Sequence, residues 1–360
     1  MVRASVVDLF CGAGGLSFGL KQAGLKVVAG CDIDPECEHA FTKNVGASFY
    51  ARDVEDLKSS ELGGWFSPGK KILAACAPCQ PFSGYVVGRY DPDERYRLLL
   101  EVARIVGEVQ PDIITVENVP RLAFRRVWKR FLAALKRQGY SVDWGILDAS
   151  YFGVPQRRRR LVLLASRLGP ITLPEPSAEE DVLSVRDAIG NLPPIGAGEI
   201  CVTDKIHRSR NLSALNLKRI RASKPGGTWR DWNRKLRADC HQSESGKTYP
   251  SVYGRMSWDE PSPTITTQFY GFGNGRFGHP EQDRALSIRE AAILQGFPKD
   301  YVFAPQDAPV NFMTYARLIG NAVPVGLARS IGIAIRTHLQ GASKPRAARK
   351  PSTPRKTAST

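Results

Sequence analysis

Short apolar runs alternate with helix-like patterns through the first half of the chain. The runs lie at residues 5–10, 26–31, 47–50, 72–75, 112–116 and 161–164. Each is short enough, and apolar enough on both faces, to be a buried parallel strand. The intervening segments Leu98–Val109 and Val127–Gln138 have the apolar spacing of amphipathic helices. The alternation predicts a doubly wound α/β sheet, in which ligands bind at the carboxyl ends of the strands.

A glycine turn follows the first strand. Cys11-Gly12-Ala13-Gly14-Gly15 would let a ligand approach the backbone N–H groups at the start of the next helix, although Ser17 breaks the strict dinucleotide-binding fingerprint. Asp32 ends the second strand about 20 residues later, where an acid can accept from ribose hydroxyls. A helix-capping acid is the alternative for this position. Asp53 follows the third strand, so three strand ends predict a nucleoside-shaped pocket.

Two reactive side chains follow the next two strands. Cys79 comes after Pro78, which stiffens the backbone, and a thiol at a strand end is a candidate nucleophile. Glu117 follows a wholly apolar run, which favours partial desolvation of its carboxyl group. A lone cysteine is more often an inert core residue, and Cys76 with Cys79 also has the spacing of a thioredoxin redox pair. The Gln80–Gly84 segment disfavours the helix that such a pair requires.

An arginine run enters the last strand of this half. Arg158 and Arg160 would share one strand face, so both could point at the site; a solvated or phosphate-binding run is the alternative. Residues 82–96 are rich in glycine, aspartate and proline, which predicts a mobile loop over the site.

The charge balance indicates a polyanionic partner. The formal net charge is +16; six positive charges lie within residues 341–360, so the remainder carries +10. Between Lys205 and Arg237 there are eleven Lys and Arg residues but one acid, with Trp229 and Trp232 among them. This mixture predicts phosphate contacts and base stacking. The composition of residues 341–360 predicts disorder.

Other composition features exclude several classes of protein. The seven cysteines lack the spacing of a disulfide framework, and no Cys/His cluster has zinc spacing, so reduced thiols and no metal are expected. The N-terminus has no signal-peptide pattern, and no apolar run approaches the ~20 residues of a membrane span. A cytoplasmic protein that does not bind a membrane is therefore expected.

These motifs together resemble the cytosine-C5 DNA methyltransferase family, in its stand-alone prokaryotic form. In family order they are Asp8–Gly15, Pro78-Cys79-Gln80, Glu117-Asn118-Val119, Gln156-x-Arg158-x-Arg160, Arg289-Glu290, Gln295-Gly296-Phe297-Pro298 and Gly320-Asn321-Ala322-Val323-Pro324. The resemblance extends from Asp8 to about Leu327, except near residues 170–258. Because seven motifs occur in the order typical of the family, the interpretation of Cys76 and Cys79 as a redox pair is disfavoured.

The resemblance implies a reaction and a cofactor. Cys79 would add to C6 of a cytosine flipped out of duplex DNA, while Glu117, Arg158 and Arg160 stabilise the ring and S-adenosyl-L-methionine supplies the methyl group. The implied cofactor contacts are Asp8, Phe10, Gly12, Gly14, Gly15, Leu16, Asp32, Ile33, Asp53, Val54, Pro78, Leu98, Asn321, Ala322 and Val323.

Three positions depart from the usual pattern of the family. Asp32 stands where family members more often have Glu. Ile33 stands where relatives often carry an aromatic residue, so weaker adenine stacking is expected. Ala77 replaces a more common Pro or Phe.

The resemblance also implies an architecture. A SAM-dependent methyltransferase (Rossmann-like) large domain would comprise residues 1–170, followed by a smaller, irregular target-recognition domain over residues 171–318. Residues 319–340 would return to the large domain, and residues 341–360 would form a disordered basic tail. No regulatory domain is expected before the catalytic part. Base reading is expected within residues 171–258, with suitable side chains at Arg230, Asn233, Arg234, Gln242 and Arg255.

Partners and two rival functions follow from the same resemblance. The resemblance implies that the substrate is double-stranded DNA and that a restriction endonuclease accompanies the enzyme. It also implies that the protein is a monomer. A tRNA cytosine-C5 methyltransferase on the same scaffold is one rival, but its Cys-Phe-Thr signature is absent from this sequence. A catalytically inactive DNA-binding relative is the other, and intact Cys79, Glu117 and Arg160 argue against it.

Overall fold

A seven-stranded sheet forms the centre of the protein, as seen in a computed structural model that describes residues 3–78, 97–243 and 250–342. Its strands are β1 (Ala4–Leu9), β2 (Lys26–Asp32), β3 (Ser48–Ala51), β4 (Lys70–Ala75), β5 (Ile113–Asn118), β6 (Ser141–Asp148) and β7 (Arg159–Ser166). The spatial order is β3-β2-β1-β4-β5-β7-β6, and only β7 runs against its neighbours. The order reverses between β1 and β4, which places a crevice at the carboxyl ends of these two strands.

Helices cover both faces of this sheet. Within the described ranges the α-helices are α1 (Gly15–Gln22), α2 (Glu38–Val45), α3 (Ser59–Trp65), α4 (Leu98–Val109), α5 (Arg126–Arg137), α6 (Val185–Ile189), α7 (Ala214–Arg221), α8 (Ile288–Leu294), α9 (Phe312–Gly320) and α10 (Val325–Ala342). Successive residues of β1 enter different cores, because side chains alternate across a strand. Val7 packs with α4 and α5, whereas Val6 packs with α1 and α10.

The last helix returns to the large sheet and packs closely against α1. A Cβ atom at Gly19 would lie 2.4 Å from the Cβ of Ala328, so only glycine permits this approach. Residues Phe312–Ala342 are apolar enough to cross a membrane by composition, but 61% of their most apolar stretch is buried within the protein. Burial against α1 therefore explains the apolar character of α10.

The predicted elements of the first half are confirmed, with one omission. Each predicted strand is present within two residues of its expected bounds, and α4 has the expected bounds. Asp34 caps the turn that precedes α2, and Ser287 with Glu290 forms a capping box at the start of α8. Strand β6 was not predicted. It is half-buried along most of its length, so it lacks both the alternation and the continuous apolar run that identify a strand.

Residues between about 185 and 320 form a less regular region. It contains α6 to α9, a hairpin of β8 (Ile200–Cys201) and β9 (Asp204–Arg208), and several short 3-10 helices. A small core holds Trp229 and Trp232, which are only 4% and 2% exposed. The prediction that these two rings stack on bases is therefore wrong, because they are used to fill the interior of this region.

Arg255 is also buried, so its predicted contact with a base edge is wrong. Its guanidinium donates to the backbone carbonyls of Ile220 (3.1 Å), Ser223 (3.0 Å), His279 (2.9 Å) and Gln282 (2.8 Å). It also pairs with Asp283. A planar group with five donors can join several chain segments in this way. Arg255 thus holds the irregular region together.

A buried ion pair stabilises the same region. The Glu290 carboxylate receives two 2.7 Å hydrogen bonds from Arg284 and one of 2.8 Å from the Ser287 backbone N–H. Burial alone would raise the pKa of Glu290, but the charge and hydrogen bonds of Arg284 outweigh it, and the pKa falls to about 2. The carboxylate is therefore ionised at neutral pH.

Candidate active site

The glycine turn after β1 has an unusual backbone. Phe10 adopts a left-handed conformation with φ of 59°, which is uncommon for a bulky side chain, and Gly12 and Gly14 have φ of 51° and 90°. The Gly12 N–H donates to Asp32 Oδ2 at 2.8 Å. The first two strand ends predicted to form the pocket are thus hydrogen-bonded to each other. Burial raises the pKa of Asp32, and hydrogen bonds from the backbone of Asp34 and Gly12 partly oppose this.

A buried carboxyl group lies beneath this turn. Ser17 Oγ donates to Asp8 Oδ2 at 2.7 Å, whereas Oδ1 of the same group has no hydrogen-bond partner in the described part of the chain. Burial, with a smaller contribution from the Asp32 charge, raises the pKa of Asp8 to about 7, although hydrogen bonds from Ser17 oppose this rise. Asp8 therefore offers an unused hydrogen-bonding atom at the crevice.

The remaining predicted cofactor contacts lie at the same edge or next to it. Ile33 is 48% exposed beside Asp32, and the Asp53 carboxylate accepts from the Glu55 N–H at 3.0 Å. The 3-10 turn Val54–Asp56 packs against α4, which begins at the buried Leu98. These positions surround the crevice on the side of β2 and β3.

The segment between α9 and α10 lies against the glycine turn, although it is near the opposite end of the sequence. A Cβ atom at Gly15 would lie 2.5 Å from Val323 O and 3.3 Å from the Ala322 side chain. The Ala322 carbonyl accepts from Gln295 Nε2 at 2.5 Å, and Asn321 is exposed. The structure therefore brings the predicted residues 321–323 to the turn.

Glu117 is the centre of a second cluster at the ends of β4 and β5. Cys76 Sγ donates to Glu117 Oε2 at 2.9 Å, and Arg160 Nε lies 2.9 Å from Oε1. The Arg160 N–H is not aligned with Oε1, which has no hydrogen bond within the described ranges. The Glu117 side chain is only 3% exposed. Oε2 therefore accepts a hydrogen bond from Cys76, and Oε1 is buried beside the Arg160 guanidinium.

Strand register explains this cluster. Ala75 pairs with Val116 in the parallel β4–β5 ladder, so Cys76 and Glu117 come next and lie side by side. Val162 of β7 lies opposite Glu117, which makes Arg160 the diagonal neighbour on the same face. Both residues directly follow predicted apolar runs, but the sequence does not give the order and register of the strands, so the contact was not predicted.

Arg158 has different partners from Arg160. It precedes β7, and its guanidinium donates to the carbonyls of Ile265 (2.7 Å) and Gly320 (2.8 Å). The two arginines therefore do not act as a pair on one strand face, as the sequence had suggested. Arg158 instead connects the start of β7 with the irregular region and with the end of α9.

Cys76 and Cys79 are distinguished by their surroundings. Burial, and then the Glu117 charge, raises the pKa of Cys76 well above its ordinary value, so this thiol stays protonated and is a weak nucleophile. Asn118 Nδ2 donates to Ala77 O at 2.8 Å and ties the exits of β4 and β5 together. Cys79 and the predicted loop at residues 82–96 lie outside the described residues, but Pro78, the residue before Cys79, is described at this edge.

Comparison with known proteins identifies the family. Residues 4–337 match the family described as C-5 cytosine-specific DNA methylase. The chain belongs to this family. It is 46% identical over 342 residues to the type II methylase M.HgiDII of Herpetosiphon aurantiacus, covering 94% of this chain and 96% of that protein. It is also 32% identical to the type II methyltransferase M.PspPI of Psychrobacter sp., covering 94% and 80% of the two chains.

Solved structures show the same fold for this DNA cytosine-C5 methyltransferase. A putative DNA modification methyltransferase encoded within an E. coli prophage has a TM-score of 0.72 at 22% identity, covering 94% of this chain and all of that one. The S. pombe Dnmt2 methyltransferase has a TM-score of 0.59 at 18% identity, with 95% and 100% coverage. The expected family and fold class are confirmed.

Proposed function

We propose that this enzyme transfers a methyl group from S-adenosyl-L-methionine to C5 of a cytosine flipped out of duplex DNA, through a temporary bond between Cys79 and ring C6. The observation that carries the proposal is the Cys76–Glu117–Arg160 cluster. It lies at the ends of β4 and β5, next to the glycine turn of β1. A group bound at the turn and a base bound at Glu117 would therefore share one sheet edge.

The chemistry of cytosine requires a nucleophile and a partner for its ring nitrogen. C5 is a poor nucleophile until a thiolate adds to C6, which gives C5 carbanion character. In the proposal, Cys79 makes this addition and Glu117 hydrogen-bonds N3 through Oε1, which is ion-paired with Arg160 but accepts no aligned hydrogen bond from the described residues. Arg160 stabilises the O2 side of the ring. After C5 has taken the methyl group, transfer of the C5 proton to a base or to water and expulsion of the Cys79 thiolate restore the aromatic ring.

The residues around the turn fit the proposed cofactor. Asp32 can accept from ribose hydroxyls, while the left-handed backbone at Phe10 and Gly12 and the unpaired oxygen of Asp8 mark a strained, polar cradle. When bound, S-adenosyl-L-methionine supplies an electrophilic methyl group. Ile33 presents only an aliphatic surface at the rim, so it supports an adenine ring without aromatic stacking.

Two residues have positioning roles in this proposal. Cys76 donates to Glu117 and fixes the direction of the carboxyl group, and its protonated thiol leaves the nucleophilic role to Cys79. Arg158 holds the carbonyls of Ile265 and Gly320, so it orients the segment that leads to residues 321–323. Neither side chain needs to contact the base.

Sequence recognition and partners complete the proposal. Arg230, Arg234 and Gln242 are exposed in the irregular region and remain candidates for base edges, whereas the Asn233 side chain caps a short 3-10 helix. The enzyme acts as a cytoplasmic monomer on duplex DNA, alongside a restriction endonuclease of the same specificity. The division into residues 1–170, 171–318 and 319–340 assigns chemistry to the first part and base reading to the second.

Transfer of radiolabelled methyl groups tests this function. Purified enzyme with labelled S-adenosyl-L-methionine is expected to label duplex DNA from a methylation-free host, and to leave tRNA unlabelled. The Cys79→Ser variant should label neither, since a hydroxyl is far less ionised than a thiol near neutral pH. Labelling of tRNA alone would indicate the rival RNA activity, and equal labelling by Cys79→Ser would exclude the proposed nucleophile.

A further inference from the structure

A strongly basic surface lies on the large domain, directly after the Glu117 strand. Residues 119–138 contain seven Lys and Arg residues and no acid. They are Arg121, Arg125, Arg126, Lys129, Arg130, Lys136 and Arg137. All are exposed except Arg125, which is half-buried. Across residues 3–78, 97–243 and 250–342, no hydrogen bond or ion pair involves the side chain of any of the seven.

An exposed aromatic ring lies within this basic surface. Phe124 ends the 3-10 helix Pro120–Phe124 and is 81% exposed, which makes it one of the most exposed large apolar side chains described. Most large apolar side chains of the enzyme are buried. An apolar ring surrounded by cations suits a partner that presents both phosphate charges and apolar sugar surfaces.

The opposite face of α5 anchors this surface to the sheet. Val127, Trp128, Phe131 and Leu135 are buried, and the Trp128 ring contacts Phe131 and the Trp144 ring of β6. The helix therefore cannot turn its cations towards internal partners. Like charges on one helix repel each other, and no acid among the described residues pairs with these cations to offset this cost.

The basic residues at the start of α5 follow Glu117 closely in the chain, and the 3-10 helix before them contacts β7, the strand that carries Arg160. The 3-10 helix begins three residues after Glu117, and with a rise of about 2 Å per residue it extends roughly 10 Å. Lys136 and Arg137 lie at the other end of α5, roughly 15 Å further along the helix axis at 1.5 Å per residue. The helix thus presents cations both near Glu117 and far from it.

We propose that Arg121, Phe124, Arg125, Arg126, Lys129 and Arg130 form a binding surface, the α5 surface, for the sugar-phosphate backbone of duplex DNA beside the flipped cytosine. The cations hold phosphates, and Phe124 packs against deoxyribose. The inference rests on the proposed function, because it places the duplex next to Glu117. Phosphate contacts position the duplex and carry no sequence information, so this surface sets affinity and register while other residues read bases.

A matched pair of variants tests the α5 surface. Arg126→Gln with Arg130→Gln removes two exposed cations near Glu117, and Lys136→Gln with Arg137→Gln removes two from the far end of the same helix. Binding of a labelled 30-base-pair duplex is measured by fluorescence anisotropy between 50 and 200 mM salt. The first variant should bind about tenfold more weakly at 100 mM salt, and its slope of log K against log salt should be shallower by about two.

The far-end variant should keep the wild-type salt slope and the wild-type rate of methyl transfer. Equal slopes for the two double variants would overturn the proposal, because only net charge would then matter. Phe124→Ala should weaken binding without changing the salt slope, since it removes apolar contact alone; wild-type affinity in this variant would remove Phe124 from the surface.

Failure of the inference can be separated from failure of the proposed function. If the wild type methylates duplex DNA but the two double variants bind it alike, only the α5 surface is wrong. If tRNA competes for the α5 surface more strongly than duplex DNA, and only tRNA is methylated, both are wrong. Circular dichroism of each variant shows that weaker binding does not reflect unfolding.

Discussion

The two most basic regions of this enzyme use their arginines in different ways. In residues 205–237, Arg219 is buried between Trp232 and Tyr253 and donates to Leu236 O, and Arg221 pairs with Asp283. In residues 119–138, the cations have no such partners among the described residues. Both segments are rich in Lys and Arg and nearly free of acids in the sequence. An arginine can therefore stabilise an irregular fold through internal hydrogen bonds, or remain exposed and available to an external anion. Only the side-chain contacts seen in the structure distinguish these two uses.

Neither basic region contains a residue with a proposed role in the reaction. A substitution at Glu117 should therefore change the rate of methyl transfer and leave DNA binding unchanged. Glu117→Gln is expected to slow single-turnover methyl transfer by roughly 10²–10⁴-fold, the range for loss of a general acid. DNA affinity and its salt dependence should remain those of the wild type. Glu175→Gln, at an exposed position, is the control. A single-turnover rate near that of the wild type would remove Glu117 from the mechanism.

The interior of the small region should depend on its buried ion pair. Glu290→Gln leaves the buried Arg284 without its carboxylate partner and should lower the free energy of unfolding by about 3–5 kcal/mol. Asp259→Asn, which disrupts an exposed pair with Arg186, should leave the melting temperature nearly unchanged. Equal melting temperatures for the two variants would show that the buried pair does not support the fold.

The same pair predicts a dependence of stability on pH. The folded pKa of Glu290, about 2, lies below its ordinary value of 4.5, so its contribution is present above pH 4.5 and is lost as pH falls towards 2. His279, 3.7 Å away, has a pKa lowered by burial to about 4, so it is neutral above this pH and becomes protonated below it. Wild-type stability should therefore fall more steeply than that of Glu290→Gln between pH 5 and 3 in urea titrations.

Arginines within the small region should separate into structural and base-reading groups. Arg255→Ala should lower the melting temperature without changing the methylated sequence, because Arg255 binds only internal partners. Arg234→Ala should relax one position of the recognition site, at a cost of about 1–3 kcal/mol in discrimination, and leave the melting temperature unchanged. Genome-wide mapping of methylated sites checks both. A changed site in Arg255→Ala would contradict its structural role.

The smallest effect is expected at Cys76. Cys76→Ala removes the hydrogen bond to Glu117 and should lower kcat by about twofold to tenfold, as expected for a hydrogen bond of about 0.5–1.5 kcal/mol. Cys76→Ser keeps a donor and should recover most of this loss, with KM for DNA unchanged in both variants. Equal losses in the two variants would mean that Cys76 fills space and does not position Glu117.

The regular part of the fold could be predicted because its signals are local. Apolar runs, the glycine turn and the acids after β2 and β3 each depend on a few adjacent residues, and parallel strand ends must meet at one edge. The contact between Cys76 and Glu117 depends on register between strands 41 residues apart, so the spacing of residues along the chain does not reveal it.

The irregular region could not be predicted from the same signals. Trp229, Trp232 and Arg255 have the composition of a nucleic-acid surface, yet they are buried because this region has few regular elements to form a core. Its interior relies on large rings and on arginines that bind backbone carbonyls. Burial of these side chains is set by distant partners such as Phe272 and His279, which neither periodicity nor charge identifies.

Bisulfite sequencing of a methylation-free host that expresses this enzyme tests the central claim most directly. The wild type should protect cytosines in one duplex sequence context throughout the genome, and Cys79→Ser should protect none. Cys76→Ser should protect the same sites as the wild type, because its hydroxyl can still orient Glu117. Protection by Cys79→Ser, or unprotected genomic cytosines with methylated tRNA in the wild type, would contradict the account.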